Sequence, residues 1–235
     1  ILSAVLYMMP AKSSGRESCP ARSAGCTLAC LAEVTGRMSM SGPQRARRRR
    51  HASFFADRGW FLSDLHDEIA LHERRAIRLG KVAAIRLNGT TDLPWHRMPY
   101  THNGVRYARI HDAFPSVQFY EYTKVPLAIQ AKGGLPSNLS LTFSLSERDD
   151  ADERAGDYLR AGHGAAVVTA TKRHDIPSAF AIADHIDGVG GFSYFPTVDG
   201  DEHAARFLDP SGHIVILAAK GKAKHDTSGF VRAGG

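Results

Sequence analysis

The sequence predicts an α/β protein: a partial (β/α) barrel or an open, mostly parallel sheet of five to six strands. Three observations predict it. Short apolar or β-branched runs recur at residues 2–8, 82–87, 117–123, 139–145, 165–171 and 213–219. Helix-compatible stretches separate several of them, as parallel crossovers require. At 235 residues the chain suffices for one large domain or two small ones.

The elements follow in order. Residues 1–18 are expected to be a leader segment, either the first strand or a fragment edge; residues 19–235 are expected to form a single α/β domain with an N-terminal cysteine loop. Residues 1–10 are apolar but lack a basic start and a small-residue cleavage site, so no signal peptide is predicted. Gly15, Pro20 and Gly25 break residues 13–35 into loops. Ser41-Gly42-Pro43 is a helix start signal for residues 44–56. Gly59 is expected to interrupt, and residues 60–79 continue with Leu62, Leu65, Ile69 and Ala76 at helical spacing until Gly80. Further helices are expected at 126–132 and 147–161. Without residues 2–8 the strand count is five rather than six.

Thirty Lys and Arg against 24 Asp and Glu leave a net charge of +6, which favours anionic partners such as nucleic acid or nucleotides. No apolar run approaches the roughly 20 residues that span a bilayer, so no membrane partner is expected. The three cysteines are an odd number, all between residues 19 and 30. A disulfide scaffold uses an even number spread along the chain, so a reduced, cytoplasmic setting is expected.

Those cysteines are the strongest chemical signal. Cys19, Cys26 and Cys30 lie on one short loop entering a helix, where three thiolates can wrap one small object. Thiolates are the soft ligands of iron–sulfur clusters and of zinc. A 4Fe-4S cluster held by three thiolates leaves one iron open to a small molecule. Zinc needs a fourth protein ligand, and the nearest histidine, His51, is distant in sequence. Three unconnected buried thiols are the plainer alternative.

The segments CPARSAGCTLACL with Gly36-Arg37, RLNGTTDLPW, FPSVQFYEYTK, LTFSLSE, VDGDE with RFLDPSG, and AKGKAKHDTSGFV resemble the phage and prophage gene product 88 domain family, over residues 19–231. The resemblance implies a phage or bacterial, cytoplasmic setting. It also implies an architecture similar to a reduced radical S-adenosylmethionine enzyme, with S-adenosylmethionine at the open iron. The cysteine spacing differs from the tight loop of that superfamily, and no second glycine-rich adenine-binding motif is present.

Asn88-Gly89-Thr90-Thr91-Asp92 follows a predicted strand. Ligands collect at the carboxyl ends of parallel strands, so Asn88, Gly89 and Asp92 are candidate cofactor-binding residues; an Asx turn is the structural alternative. Glu121, Lys124 and Ser144 lie at other strand ends and are candidate catalytic residues. Ser146, Glu147, Thr169, Thr171 and Lys220 share that placement, with helix capping as the alternative for Ser146 and Glu147. The acidic cluster of Asp199, Asp201 and Glu202 reads as a turn before it reads as a cation site.

Five of the six residues 45–50 are arginine. Arg47, Arg48, Arg49 and Arg50 are candidate nucleic-acid contacts, with a solvated face as the alternative. Three functions follow: an iron–sulfur enzyme acting on a nucleotide or nucleic-acid-related substrate, a non-enzymatic zinc-stabilised nucleic-acid-binding accessory protein, or a structural accessory protein with idle thiols.

Overall fold

The computed structural model describes residues 1–34, 40–170, 175–186 and 189–233. Gly36-Arg37 and Thr171, singled out above, lie outside the described residues. In chain order the elements are β1 (Leu2–Val5), α1 (Ala11–Ser14), α2 (Ala24–Leu28), α3 (Leu31–Val34), α4 (Ser41–Ala56), α5 (Arg58–Arg78), β2 (Ala83–Arg86), β3 (Tyr100–His102), β4 (Val105–Tyr107), α6 (Ile110–Ala113), β5 (Gln118–Thr123), α7 (Leu127–Gln130), β6 (Leu139–Ser144), α8 (Ala151–Arg160), β7 (Gly164–Thr169), β8 (Ala179–Ile186), β9 (Val189–Asp199), β10 (Ile214–Ala218) and β11 (Val231–Arg232). Two compact units form. Unit 1 comprises Ile1–Pro20, Ser39–Glu121 and Gln130–Ser140; unit 2 comprises Ala21–Met38, Tyr122–Ile129 and Leu141–Gly235.

In unit 1, β1, β2 and β5 pair in parallel, with Leu2 opposite Ala83 and Ala84 opposite Gln118. β2 is buried almost throughout, because a parallel strand is covered on both faces. α5 buries Leu62, Ile69 and Ala76 of the predicted stripe, with Phe61 beside them, while Leu65 is half-buried. Phe54 of α4 meets Phe61 edge-on at 5.5 Å and Trp95 at 5.3 Å, an arrangement aromatic quadrupoles favour. The break between α4 and α5 falls at Asp57, not Gly59. The Asp57 carboxylate accepts from the Trp60 N–H and caps α5, so a specific cap places the break and Gly59 continues the helix. β3 and β4 form an antiparallel hairpin that was not predicted, turned by Asn103 and Gly104 at φ +48° and +78°. Asn-Gly is the pair this turn requires.

In unit 2, β6 pairs with β7, β7 with β10, and β10 with β9, all in parallel. β11 pairs with β7 beyond the end of β6, at Val168 and Thr169. Phe143, Ala165, Val167, Ile214 and Ile216 are core residues, and Tyr158 of α8 packs 5.2 Å from Phe143. β8 and β9 form an antiparallel hairpin.

The six predicted strands are therefore β1, β2, β5, β6, β7 and β10, mostly parallel as expected. Within each unit the strand path is open among the described residues, β1-β2-β5 in unit 1 and β6-β7-β10-β9-β8 in unit 2, and neither closes as a barrel. Beyond five to six strands the expectation is corrected: β8, β9 and β11 also join. β9 was missed because Phe192 and Tyr194 are exposed, so its pattern is not a buried run. No helix among the described residues is long and apolar enough to cross a membrane.

Candidate functional site

Parallel pairing sets the C-terminal ends of β1, β2 and β5 on one edge of unit 1. Near the end of β5, Glu121 is fully buried. Its carboxylate accepts from the backbone N–H groups of Leu87 at 2.6 Å and Asn88 at 2.8 Å. Burial raises its pKa to about 8, against the pull of the Arg86 charge and of both N–H donors.

Asn88 is a lock for its own loop. Its Oδ1 accepts from the Thr91 hydroxyl at 2.8 Å, the Leu93 N–H at 2.9 Å and the Trp95 indole at 2.9 Å. Its Nδ2 donates to the Leu93 carbonyl. The structural alternative to cofactor binding thus describes how the Asn88 side chain is held. Gly89 does serve a close backbone approach, but to the chain after β1. Its N–H donates to the Leu6 carbonyl, and a Cβ there would lie 2.7 Å from that oxygen. Gly89→Ala is expected to destabilise the protein by about 1–3 kcal/mol, read as a lowered unfolding midpoint; an unchanged midpoint would contradict this packing. Asp92 is half-buried, and its N–H donates to the Ser18 carbonyl. Cys19, next in the chain, directs its thiol at the Thr90 carbonyl, 3.8 Å away. The thiol therefore sits at the strand ends of unit 1.

The corresponding group in unit 2 lies at the ends of β5 and β6. Lys124 donates through Nζ to the Ser144 carbonyl at 2.7 Å, the Ser144 hydroxyl at 2.8 Å and the Leu145 carbonyl at 3.0 Å, with the Phe230 ring 5.3 Å away. Two predicted catalytic residues are thus brought together as a bonded pair. Glu147 holds the cysteine-bearing helix α2. Its carboxylate accepts from the Gly25 N–H at 2.7 Å and the Ser23 hydroxyl at 2.8 Å, and Ser23 caps the Cys26 N–H. Burial works to raise the Glu147 pKa, but those donors and the Lys124 charge hold it below the usual carboxylate range. A Cβ on Gly25 would strike Ser228, Phe230 and Glu147, so the helix sits against these residues at its second position. Cys26 and Cys30 are half-buried.

Cys19 belongs to unit 1, and Cys26 and Cys30 to unit 2. Among the described residues, no three His, Cys, Asp or Glu side chains stand together as a metal site. The acidic cluster is a turn. The Asp199 carboxylate accepts from the Asp201 N–H, and Asp201 pairs with Lys220 and accepts from the Ala218 N–H.

The arginine run divides. Arg47 is 2% exposed, whereas Arg45, Arg48, Arg49 and Arg50 are exposed. Arg47 is therefore corrected from a nucleic-acid contact to a core residue of unit 1: successive helical positions lie about 100° apart, and its position faces inward.

Sequence reasoning missed one polar cluster in unit 1. The His66 and His102 rings stack at 4.0 Å, His66 Nδ1 bonds the Tyr100 hydroxyl at 2.8 Å, and His102 Nδ1 bonds the Ser63 hydroxyl at 2.9 Å. Asp67 lies 3.5 Å from His102 Nε2. Burial and the neighbouring His102 hold His66 below its ordinary pKa, against the pull of Asp67. Ser63, His66 and Asp67 share an i, i+3, i+4 spacing on α5, the signal that could have placed them on one face.

Parallel strands with polar residues gathered at their carboxyl ends define an α/β protein of the crossover type, whose ligands collect at that edge. The chain belongs to the phage gene product 88 family, whose model, described as Gene product 88, matches residues 1–234. No curated protein and no solved structure matches the chain. Nothing in these comparisons extends the likeness to radical S-adenosylmethionine enzymes.

Proposed function

We propose that this gene product 88 family protein is a cytoplasmic iron–sulfur enzyme, in the manner of radical S-adenosylmethionine enzymes, acting on a nucleotide or nucleic-acid-related substrate. One observation carries the reading: in each unit the cysteine segment is tied to residues that follow a parallel strand. Thr90 after β2 holds Cys19, and Glu147 after β6 holds the helix of Cys26. The described residues hold no ready-made metal cage, so the reading rests on this tethering and on the spacing of the thiols. A bound cluster would supply the redox chemistry. The chain's own groups supply proton handling and position. Glu121 holds a proton near neutral pH, because burial raises its pKa to about 8. Lys124, bonded through Nζ to Ser144 and Leu145, fixes a positive charge at the end of β6.

Anaerobic purification tests this. The expected protein is coloured and contains iron with acid-labile sulfide, and Cys19→Ala, Cys26→Ala and Cys30→Ala each lose the iron while keeping the native circular dichroism spectrum. Full iron content in all three variants, or zinc without sulfide in the parent, overturns the reading. The zinc outcome favours a metal-stabilised binding protein instead.

A further inference from the structure

We propose that the outer face of α4 is a sequence-independent binding surface for the phosphate backbone of nucleic acid, carried by Arg45, Arg48 and Arg49 and not by Arg47. The inference goes beyond the proposed enzyme and needs none of the cysteines.

α4 contains no Asp or Glu in its sixteen residues, SGPQRARRRRHASFFA. Positions 45, 48 and 49 are spaced i, i+3, i+4, so the three side chains leave one face of the helix. All three are exposed. Among the described residues they make no ion pair or hydrogen bond, whereas Arg50 bonds the Tyr7 carbonyl at 3.5 Å. The exposed Arg148 is matched by Asp150, and the exposed arginines of α5 share their helix with Asp64, Asp67, Glu68 and Glu73, whereas α4 carries no acid of its own. Three unmatched like charges within one turn repel one another, and a polyanion relieves that repulsion.

The partner class follows from the chemistry of the face. Arg45 to Arg49 spans about 6 Å of helix axis. Duplex DNA carries a charge about every 1.7 Å of its axis, so this span meets several phosphates. The guanidinium fork matches phosphate oxygens two at a time, which the point charge of lysine does not. A helix lying on a membrane keeps an apolar face free for lipid. α4 has none to offer: Phe54 is buried against Phe61 and Trp95, and Phe55 packs between His51 and the Arg16 guanidinium. The outer face continues as Ala52 and Ala56, both exposed.

The test compares the full chain with an Arg45→Gln/Arg48→Gln/Arg49→Gln variant, using a fluorescent random-sequence duplex and a single strand across a salt series. A second variant, Arg74→Gln/Arg75→Gln/Arg78→Gln, removes the same charge from exposed positions on α5. The α4 variant is expected to lower the slope of log affinity against log salt by about 2.7, roughly 0.9 for each of the three contacts. Between about 50 and 200 mM salt the parent then loses about 40-fold more affinity than the variant. The α5 variant is expected to keep most of the parent's slope. Equal slopes in the parent and the α4 variant, or an equal loss in both variants, overturn the proposal. Binding to phosphatidylserine vesicles without binding to either oligonucleotide overturns it as well.

Discussion

Replacing Glu121 with Ala is expected to destabilise the protein by about 3 kcal/mol, because it leaves the buried N–H groups of Leu87 and Asn88 without their acceptor. Glu121→Gln tests the charge separately. The folded carboxyl has its pKa raised to about 8 by burial, whereas an unfolded glutamate titrates near its ordinary value of 4.5. Between those values the folded state binds more protons than the unfolded one. The contribution of Glu121 is therefore fully present below about pH 4.5 and is lost as pH rises toward 8. His111 runs the other way. Burial lowers its pKa to about 3, so its contribution is present above its ordinary value and lost as pH falls. For that reason the difference between parent and Glu121→Gln is the informative quantity. Denaturant unfolding at pH 5 to 8 is expected to show a parent that loses stability with rising pH relative to the variant. A constant difference across that range would refute the buried, proton-holding carboxyl.

Asn88→Ala is expected to cost about 3 kcal/mol as well. It strips the acceptor from the Thr91 hydroxyl, the Leu93 N–H and the Trp95 indole, and Trp95 is almost wholly buried. The damage should spread, because Trp95 packs against Phe54 of α4 and Phe61 of α5. Trp95 fluorescence and the thermal midpoint are the measurements. Asn88→Asp keeps the Oδ1 acceptor but loses the Nδ2 donor and buries a charge near Glu121, so it too should unfold at lower temperature. A native midpoint in both variants would mean that the loop does not depend on this side chain.

Much of the fold was legible because local pattern and tertiary environment agree. A strand covered on both faces must be apolar at nearly every position, and residues 165–167 and 214–216 read that way in sequence and are buried in unit 2. The α5 stripe was legible for a similar reason: one helical face carries Leu62, Ile69 and Ala76, and that face is the buried one. The Asn103-Gly104 hairpin was equally readable, since the turn it makes demands that pair, but its strands are only three residues long and no alternation drew attention to them. β8 alternates alanine with Phe180 and Ile182, and its small outward residues blur the period.

By itself the sequence determined the parallel α/β class, the six crossover strands and the placement of polar groups at strand ends, since each of these is written in residue type and period. Only the tertiary structure decided what those polar groups do. Glu121 and Asn88 became a lock on the loop after β2 because β5 pairs beside β2, with Ile85 opposite Phe119. Pairing between residues more than thirty positions apart leaves no local mark. Arg47 turned inward while Arg45, Arg48 and Arg49 stayed out, because an arginine run has no apolar stripe to show which side meets the core. That choice belongs to the surface α4 packs against, which sequence period cannot express.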